Sequence, residues 1–212
     1  ATFKDNKELP LVKESFDNKK ISVPKVNFDH AKLKKYRDLF KSGKSVIVIN
    51  PDSGPALPLR NWGLDKFSNL IERLIKEYDA SIVLVGADIS AESGEHIMNT
   101  VENTDNILNM IGKTETILDL VHLIEASDLF ITNDSGPGHF ASLTKTPTFI
   151  FFGPETPELY RPIGENSIPI YSNFACSPCL TAYNHRRSIC KRNRCLEVIT
   201  PDIVMLKIAR FM

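Results

Sequence analysis

The feature that most constrains this 212-residue chain is a series of short apolar runs rich in Val, Ile and Phe, separated by helical patterns. The runs cover residues 45–50, 81–86, 107–111, 129–133 and 148–153. Runs of this length and composition predict strands that are buried on both faces, as they are in a parallel sheet. Strands that alternate with helices predict right-handed crossovers between parallel neighbours. We therefore predict an α/β fold with a doubly wound parallel sheet, in which ligands bind at the carboxyl ends of the strands.

Helical spacing of apolar residues occurs between the strands and before them. One apolar stripe runs over three turns in 67–78, and a second covers 117–124 behind a predicted helix cap at Thr114. A leading helix is predicted to run from a cap at Asp29 to Gly43. These helices supply the layers that cover the predicted sheet.

Three parts are predicted along the chain. They are a linker and leading helix in 1–44, the sheet domain in 45–170, and a cysteine-containing basic loop with a closing helix in 171–212. The chain does not open with Met, and we expect it to be a piece of a longer protein. With 42% apolar and 25% charged residues it is not disordered by composition, and no apolar run approaches the length of a membrane span.

Charge is distributed unevenly along the chain, although the formal net charge is zero. Residues 1–44 carry a net charge of +6, and the remainder carries −6. Residues 171–195 contain five Lys or Arg and no acidic residue. Such a run indicates either a solvated face or attraction to an anionic partner, and both interpretations stay open.

The six residues Asp134-Ser135-Gly136-Pro137-Gly138-His139 directly follow the fourth apolar run. A helix that starts here would present free backbone N–H groups, and its dipole would favour an anion. The glycines leave room for a diphosphate, while Ser135 and His139 carry side-chain donors. In the simpler interpretation Ser135 only caps the helix and Asp134 only makes a turn. The combination at the end of a buried strand favours phosphate binding.

Other nucleotide-binding signatures are missing from the chain. No G-x-G-x-x-G follows the first strand, and neither a P-loop nor an Asp-x-Asp pair for a divalent metal occurs. A cationic side chain must therefore offset the charge of a diphosphate. Arg60 is the candidate, because it lies beside Trp62 in the loop after the first strand and a guanidinium binds phosphate oxygens bidentately.

Taken together, these motifs resemble the heptosyltransferase family (glycosyltransferase family 9), bacterial enzymes that build the inner core of lipopolysaccharide. The resemblance covers about 45–200. It is carried by Asn50-Pro51, Arg60-x-Trp62, Gly86, Ile111-Gly112-Lys113-Thr114, Asn133-Asp134-Ser135-Gly136-Pro137-x-His139, Thr146-Pro147, Phe152-Gly153-Pro154, Cys176-Ser177-Pro178-Cys179 and Cys195-Leu196.

The resemblance implies that this chain is the C-terminal, Rossmann-like, donor-binding half of a two-domain GT-B glycosyltransferase. It implies a cytoplasmic enzyme at the inner face of the bacterial inner membrane, which transfers a sugar from a nucleotide-diphosphate donor similar to ADP-heptose to a lipid-linked saccharide. The implied reaction is an inverting displacement that needs no cofactor or metal. The general-base Asp belongs to the missing N-terminal, acceptor-binding half, so this chain alone is expected to be inactive.

The resemblance also implies roles for individual residues. Asp134 contacts the transferred sugar, and Glu92, preferred over Asp88 and Glu95, accepts the ribose hydroxyls. Lys113 and Thr114 flank the base. The diphosphate is held by Arg60, Ser135, Gly136, Pro137 and His139.

The four cysteines follow the pattern Cys176-x2-Cys179-x10-Cys190-x4-Cys195. This spacing fits a tetrahedral structural zinc site, with His185 as a spare ligand and an iron–sulfur cluster as a further metal option. Two disulfides are the rival prediction, although a cytoplasmic enzyme disfavours them. Four reduced thiols packed as small apolar groups are the third prediction, and all three stay open.

Two other functions compete with the glycosyltransferase prediction. One is a nucleotide-sugar epimerase of related architecture, which would need catalytic groups in both halves of its cleft. The other is a zinc-knuckle module that binds nucleic acid through the basic residues among the cysteines, although it leaves residues 134–139 unexplained. In the glycosyltransferase interpretation, nucleic acid is not a partner and the basic loop faces a phosphorylated acceptor or the membrane surface.

Overall fold

The computed structural model describes residues 23–40, 44–184 and 187–212. Within them, six strands form one sheet in the order β3-β2-β1-β4-β5-β6, and every neighbouring pair is parallel. The strands are β1 Val46–Asn50, β2 Ser81–Leu84, β3 Ile107–Asn109, β4 Leu129–Asn133, β5 Thr148–Phe152 and β6 Ser167–Tyr171. The predicted doubly wound parallel sheet is confirmed.

Eight α-helices accompany the sheet in the described part of the chain. They are α1 His30–Asp38, α2 Leu64–Tyr78, α3 Ala91–Thr100, α4 Ile117–Glu125, α5 Gly136–Phe140, α6 Pro157–Tyr160, α7 Arg194–Glu197 and α8 Pro201–Ile208. No helix among the described residues is both long and apolar enough to cross a membrane.

The helix predictions are confirmed with three corrections. The cap of α4 is Thr116 and not Thr114. The Thr116 hydroxyl accepts a hydrogen bond from the Asp119 amide at 3.1 Å. The sequence patterns also missed α3, which lies between β2 and β3, and the four-residue helices α6 and α7. The Asp29 cap of α1 is confirmed. The helix does not extend to Gly43 as predicted, because α1 ends at Asp38 with Leu39 as its C-cap. Gly43 itself and most of the predicted linker lie outside the described residues.

Two helical layers bury alternate residues of the strands. On one face α1 and α4 cover Val46 and Val48, and on the other α2, α3 and α8 cover Ile47 and Ile49. Successive side chains of a strand point to opposite faces, so a strand covered on both sides is apolar throughout. β1 is buried along its whole length for this reason. The functional loops therefore project from a rigid central scaffold.

Candidate active site

The strand order reverses at β1, which lies between β2 and β4. Parallel sheets of this kind leave a crevice where the order reverses, outside the carboxyl ends of the strands. Asn133 ends β4 and links the two sides of that crevice. Its side-chain oxygen accepts the Trp62 amide, and its side-chain nitrogen donates to the Pro51 carbonyl, both at 2.9 Å. The loop after β1 is therefore fixed beside the residues that follow β4.

Arg60 lies in that loop and contacts two buried carboxylates. Its Nη1 donates to the Asp134 carbonyl at 3.2 Å, and its Nε lies 3.6 Å from Asp134 Oδ2. Its Nη2 forms an ion pair with Glu155, whose side chain is 1% exposed. We call Arg60, Asp134 and Glu155 the Arg60 cluster. It joins the segments that follow β1, β4 and β5.

Glu155 is a further candidate site residue, which the sequence patterns did not single out. It follows the Phe152-Gly153-Pro154 motif at the end of β5, and a carboxylate at the binding edge of the sheet was the available signal. Its position changes the expected role of Arg60. The guanidinium is not presented freely to a diphosphate, because it contacts two carboxylates of the protein.

The turn between Asp134 and His139 exposes backbone rather than the Ser135 hydroxyl. That hydroxyl lies 3.2 Å from both the Asn50 side-chain amide and the Asn133 carbonyl oxygen, and 3.3 Å from the Thr132 hydroxyl. Helix α5 begins at Gly136 and has only five residues, so its dipole is weaker than the sequence suggested. Of the first three residues of α5, Pro137 has no N–H and the Gly138 amide donates to the Ser135 carbonyl at 3.1 Å, so the Gly136 amide remains the donor that the turn offers.

His139 projects from this turn close to Arg60. Burial, and then the positive charge of Arg60, lower the pKa of His139 below the ordinary imidazole value. The ring is therefore neutral at neutral pH in the ligand-free protein. A bound anion would favour protonation of the ring, so His139 would become positively charged when an anion binds.

We expect the affinity for a nucleoside diphosphate to depend on the charge of His139. As pH falls below about 6.5, protonation should strengthen binding by about threefold to tenfold relative to His139→Gln. The comparison with the variant removes the titration of the phosphate itself. Because the folded-state pKa is lowered, the same residue should reduce stability on acidification through that window. Calorimetry and urea unfolding at several pH values measure both effects, and parallel profiles for the two proteins would contradict them.

A cavity of about 430 Å³ borders the same turn, at Pro137 and Phe140. This volume falls in the range of small-molecule sites. Its walls come from the loop after β2, the segment between β3 and α4, and the exposed side of α5. The lining residues are Gly86, Ala87, Asp88, Gly112, Thr114, Glu115, Thr116, Ile117, Leu120, Pro137 and Phe140.

The cavity includes only some of the predicted nucleoside contacts. Thr114 lines the cavity. Lys113 is exposed, and its ammonium donates a hydrogen bond to the Asn109 carbonyl at 2.6 Å. The wall includes two carboxylates, Asp88 in the loop after β2 and Glu115 before α4, whereas Glu92 is exposed on α3 outside the lining. The lining therefore favours Asp88 over Glu92 as the partner of the ribose, because the chain turns directly after β2 and carries Glu92 away, and the choice between them stays a prediction.

Cysteines 176, 179, 190 and 195 are free thiols, so the predicted disulfides are not formed. In the ranges that the structure describes, no group of three or more His, Cys, Asp or Glu is placed to hold a metal ion. The prediction of a structural metal site is therefore unsupported, and His185 lies outside the described residues. Burial raises the pKa of Cys195 to about 11, as expected for a thiol packed among apolar groups.

We call residues 176–184 and 187–195 the cysteine segment. This segment forms hydrogen bonds to the loops that carry the Arg60 cluster. The Asn193 side chain donates to the carbonyls of Leu59 and Asn61, at 3.2 and 2.7 Å, on either side of Arg60. The amide of Cys179 donates to the Pro154 carbonyl at 2.8 Å, next to Glu155. The segment thus positions two of the three loops that contribute charged groups, those that carry Arg60 and Glu155.

We expect Asn193→Ala to weaken nucleotide binding without touching the ligand. The loss of two hydrogen bonds that flank Arg60 should lower affinity about threefold to tenfold. Asn184→Ala is the matched control, since its side chain donates within the cysteine segment to the Cys179 carbonyl. Equal affinity for wild type and Asn193→Ala would contradict the positioning role.

A family model described as glycosyltransferase family 9 (heptosyltransferase) matches residues 6–189. The chain belongs to this family. Lipooligosaccharide heptosyltransferase 2 of Campylobacter jejuni subsp. jejuni serotype O:2 is 27% identical over 169 residues, which are 79% of this chain and 51% of that protein. The family favours a glycosyltransferase over the epimerase and the nucleic-acid module considered from the sequence.

Two solved structures share the fold. E. coli ADP-heptose LPS heptosyltransferase II has a TM-score of 0.73 at 22% identity, over 90% of this chain and 54% of that one. The family 9 glycosyltransferase of Veillonella parvula DSM 2008 has a TM-score of 0.70 at 19% identity, over 88% and 53%. This family 9 chain spans about half the length of the relatives that it matches.

Proposed function

We propose that this chain is the donor-binding half of an inverting, metal-independent GT-B glycosyltransferase that uses a nucleotide-diphosphate sugar such as ADP-heptose. One observation carries the proposal: a single turn, 134–140, supplies residues both to the cavity, through Pro137 and Phe140, and to the Arg60 cluster, through Asp134. An elongated ligand with an apolar base, a diphosphate and a sugar matches that arrangement. The E. coli structural relative is an ADP-heptose heptosyltransferase, which supports this choice of donor.

Each part of the donor has a place in this arrangement. The base enters the cavity beside Thr114, and the Asp88 carboxylate accepts the ribose hydroxyls. The diphosphate crosses the turn at the Gly136 amide, where the exposed glycine leaves the backbone accessible. The sugar then lies at Asp134. Backbone donors and a protonated His139 stabilise the charge that develops on the leaving diphosphate.

The acceptor side of the reaction belongs to an N-terminal half. In the proposed mechanism, a general base there removes the proton of an acceptor hydroxyl, which attacks the anomeric carbon and inverts it while the nucleoside diphosphate leaves. The acceptor is a lipid-linked saccharide of lipopolysaccharide or a related glycan. The enzyme acts in the cytoplasm at the inner face of the inner membrane.

Calorimetry with ADP, UDP and GDP tests the donor site. We expect saturable binding of at least one nucleotide by the 212-residue chain. Asp88→Asn should weaken it about tenfold, because the amide loses charged hydrogen bonds to the ribose. Glu92→Gln is the matched control and should bind as wild type. Absence of binding in a folded sample would refute the proposal, and equal losses in the two variants would refute the placement of the ribose.

A further inference from the structure

Two large apolar side chains of the cysteine segment extend fully into solvent. Tyr183 is 97% exposed and Ile189 is 101% exposed, more than any other large apolar residue described. Single exposed apolar side chains are common on protein surfaces. Two of them with nearly complete exposure in one short segment indicate a surface that is covered by something else.

Exposed cations lie close to these two side chains in the sequence. Arg187, Lys191 and Arg194 are exposed, and residues 171–195 contain no carboxylate. Arg192 is paired with Glu197 at 2.8 Å, whereas Arg187 and Lys191 take part in none of the ion pairs found among the described residues. The partner must therefore be anionic and must also accept apolar side chains.

We propose that Tyr183, Arg187, Ile189 and Lys191 form a docking surface for an anionic lipid bilayer. Tyrosine prefers the boundary between headgroups and acyl chains, and isoleucine gains free energy when it enters the apolar layer. Lysine and arginine are attracted to the negative surface potential, by about fivefold in affinity for each cation. A soluble polyanion such as RNA offers no apolar phase, so it gives no role to Ile189.

The position of this surface links it to the proposed donor site. The cysteine segment contacts the carbonyls of Leu59, Asn61 and Pro154, next to the Arg60 cluster. Docking would hold the open edge of the site close to a lipid-linked acceptor. The inference extends the proposed function, yet it can be tested separately because binding to vesicles requires no nucleotide.

Co-sedimentation with vesicles of phosphatidylglycerol and phosphatidylcholine tests the proposal. We expect binding to the mixed vesicles that weakens with salt, and none to pure phosphatidylcholine. Two double variants should each reduce binding about tenfold or more. One combines Tyr183→Ser with Ile189→Ser, and the other combines Arg187→Gln with Lys191→Gln. The control for the apolar pair is Leu206→Ser, because Leu206 is 75% exposed on α8. The control for the cations is the double variant Lys76→Gln with Lys207→Gln, at two exposed lysines. Vesicle binding by both controls should stay within about twofold of wild type.

Nucleotide calorimetry on the same variants separates the two proposals. A variant that binds ADP normally but has lost vesicle binding is defective in the membrane surface alone, and the donor site is intact. Absence of binding to anionic vesicles by a folded sample would overturn the docking surface. So would binding that is unchanged by Tyr183→Ser with Ile189→Ser. Retention on RNA that depends on Arg187 and Lys191 but not on Ile189 would show a polyanion surface and overturn the proposal as well.

Discussion

Replacing Arg60 by Met is expected to lower the free energy of unfolding by about 3–5 kcal/mol, because it removes one partner of a buried ion pair. The side chains of Asp134 and Glu155 are only 6% and 1% exposed, and the guanidinium contacts both. Without it, two carboxylates stay close together in a region of low dielectric. Urea unfolding followed by circular dichroism measures the loss.

The double variant Arg60→Met with Glu155→Gln separates the ion pair from simple packing. Removal of the Glu155 charge should recover part of the lost stability, with a coupling energy above about 1 kcal/mol. Arg73→Met is the matched control. Arg73 pairs with Glu77 and Asp202 on the surface, so its loss should cost less than about 1 kcal/mol. Additive effects of the two substitutions, or equal losses at Arg60 and Arg73, would contradict the buried cluster.

Replacing Gly112 by Ala is expected to reduce ADP affinity at least about tenfold, because the new methyl group displaces a wall of the cavity. Gly112 has a φ of +72°, and an added Cβ would lie 2.0 Å from Asp88 Oδ1. The Asp88 carboxylate would have to leave the place where the ribose is proposed to bind. Positive φ also strains alanine, which should cost about 1–2 kcal/mol of stability.

Gly54 offers a closely matched control for that substitution. It also has a positive φ, +82°, but an added Cβ would meet no atom within 4 Å. Gly54→Ala should therefore show a similar loss of stability with unchanged ADP affinity. Thermal unfolding and calorimetry on both variants distinguish strain from displacement. If the two variants bound ADP equally well, Asp88 would have no part in the site.

The central strands could be predicted from the sequence because burial on both faces produces continuous apolar runs. β6 could not, since it is an edge strand that contains Pro169 and buries only Ile170. Helix α3 was missed for a related reason. Its buried residues are only Gly94 and Ile97, so it shows no apolar stripe. Local patterns identify strands and helices whose apolar residues form a continuous run or stripe. They miss elements such as β6 and α3, which bury only one or two residues.

Residue patterns identified the edge of the site but not its internal contacts. Arg60 and Asp134 were both candidates, and the structure brings them together. Glu155 could not be chosen from the sequence, because its partner is 95 positions away and the contact depends on the order of the strands. The choice between Asp88 and Glu92 depends on the turn after β2. The cysteine spacing fits a metal site, but it does not fix how the chain between the thiols folds.

The most direct test of a nucleotide site at residues 134–140 is to map amide chemical shifts in labelled protein during titration with ADP. The largest changes are predicted in 86–88, in 112–117 and in 134–140, which together line the cavity and form the turn. Changes concentrated in the groove between α2 and α8, at Arg73 and Asp202, would place the ligand elsewhere and contradict the account.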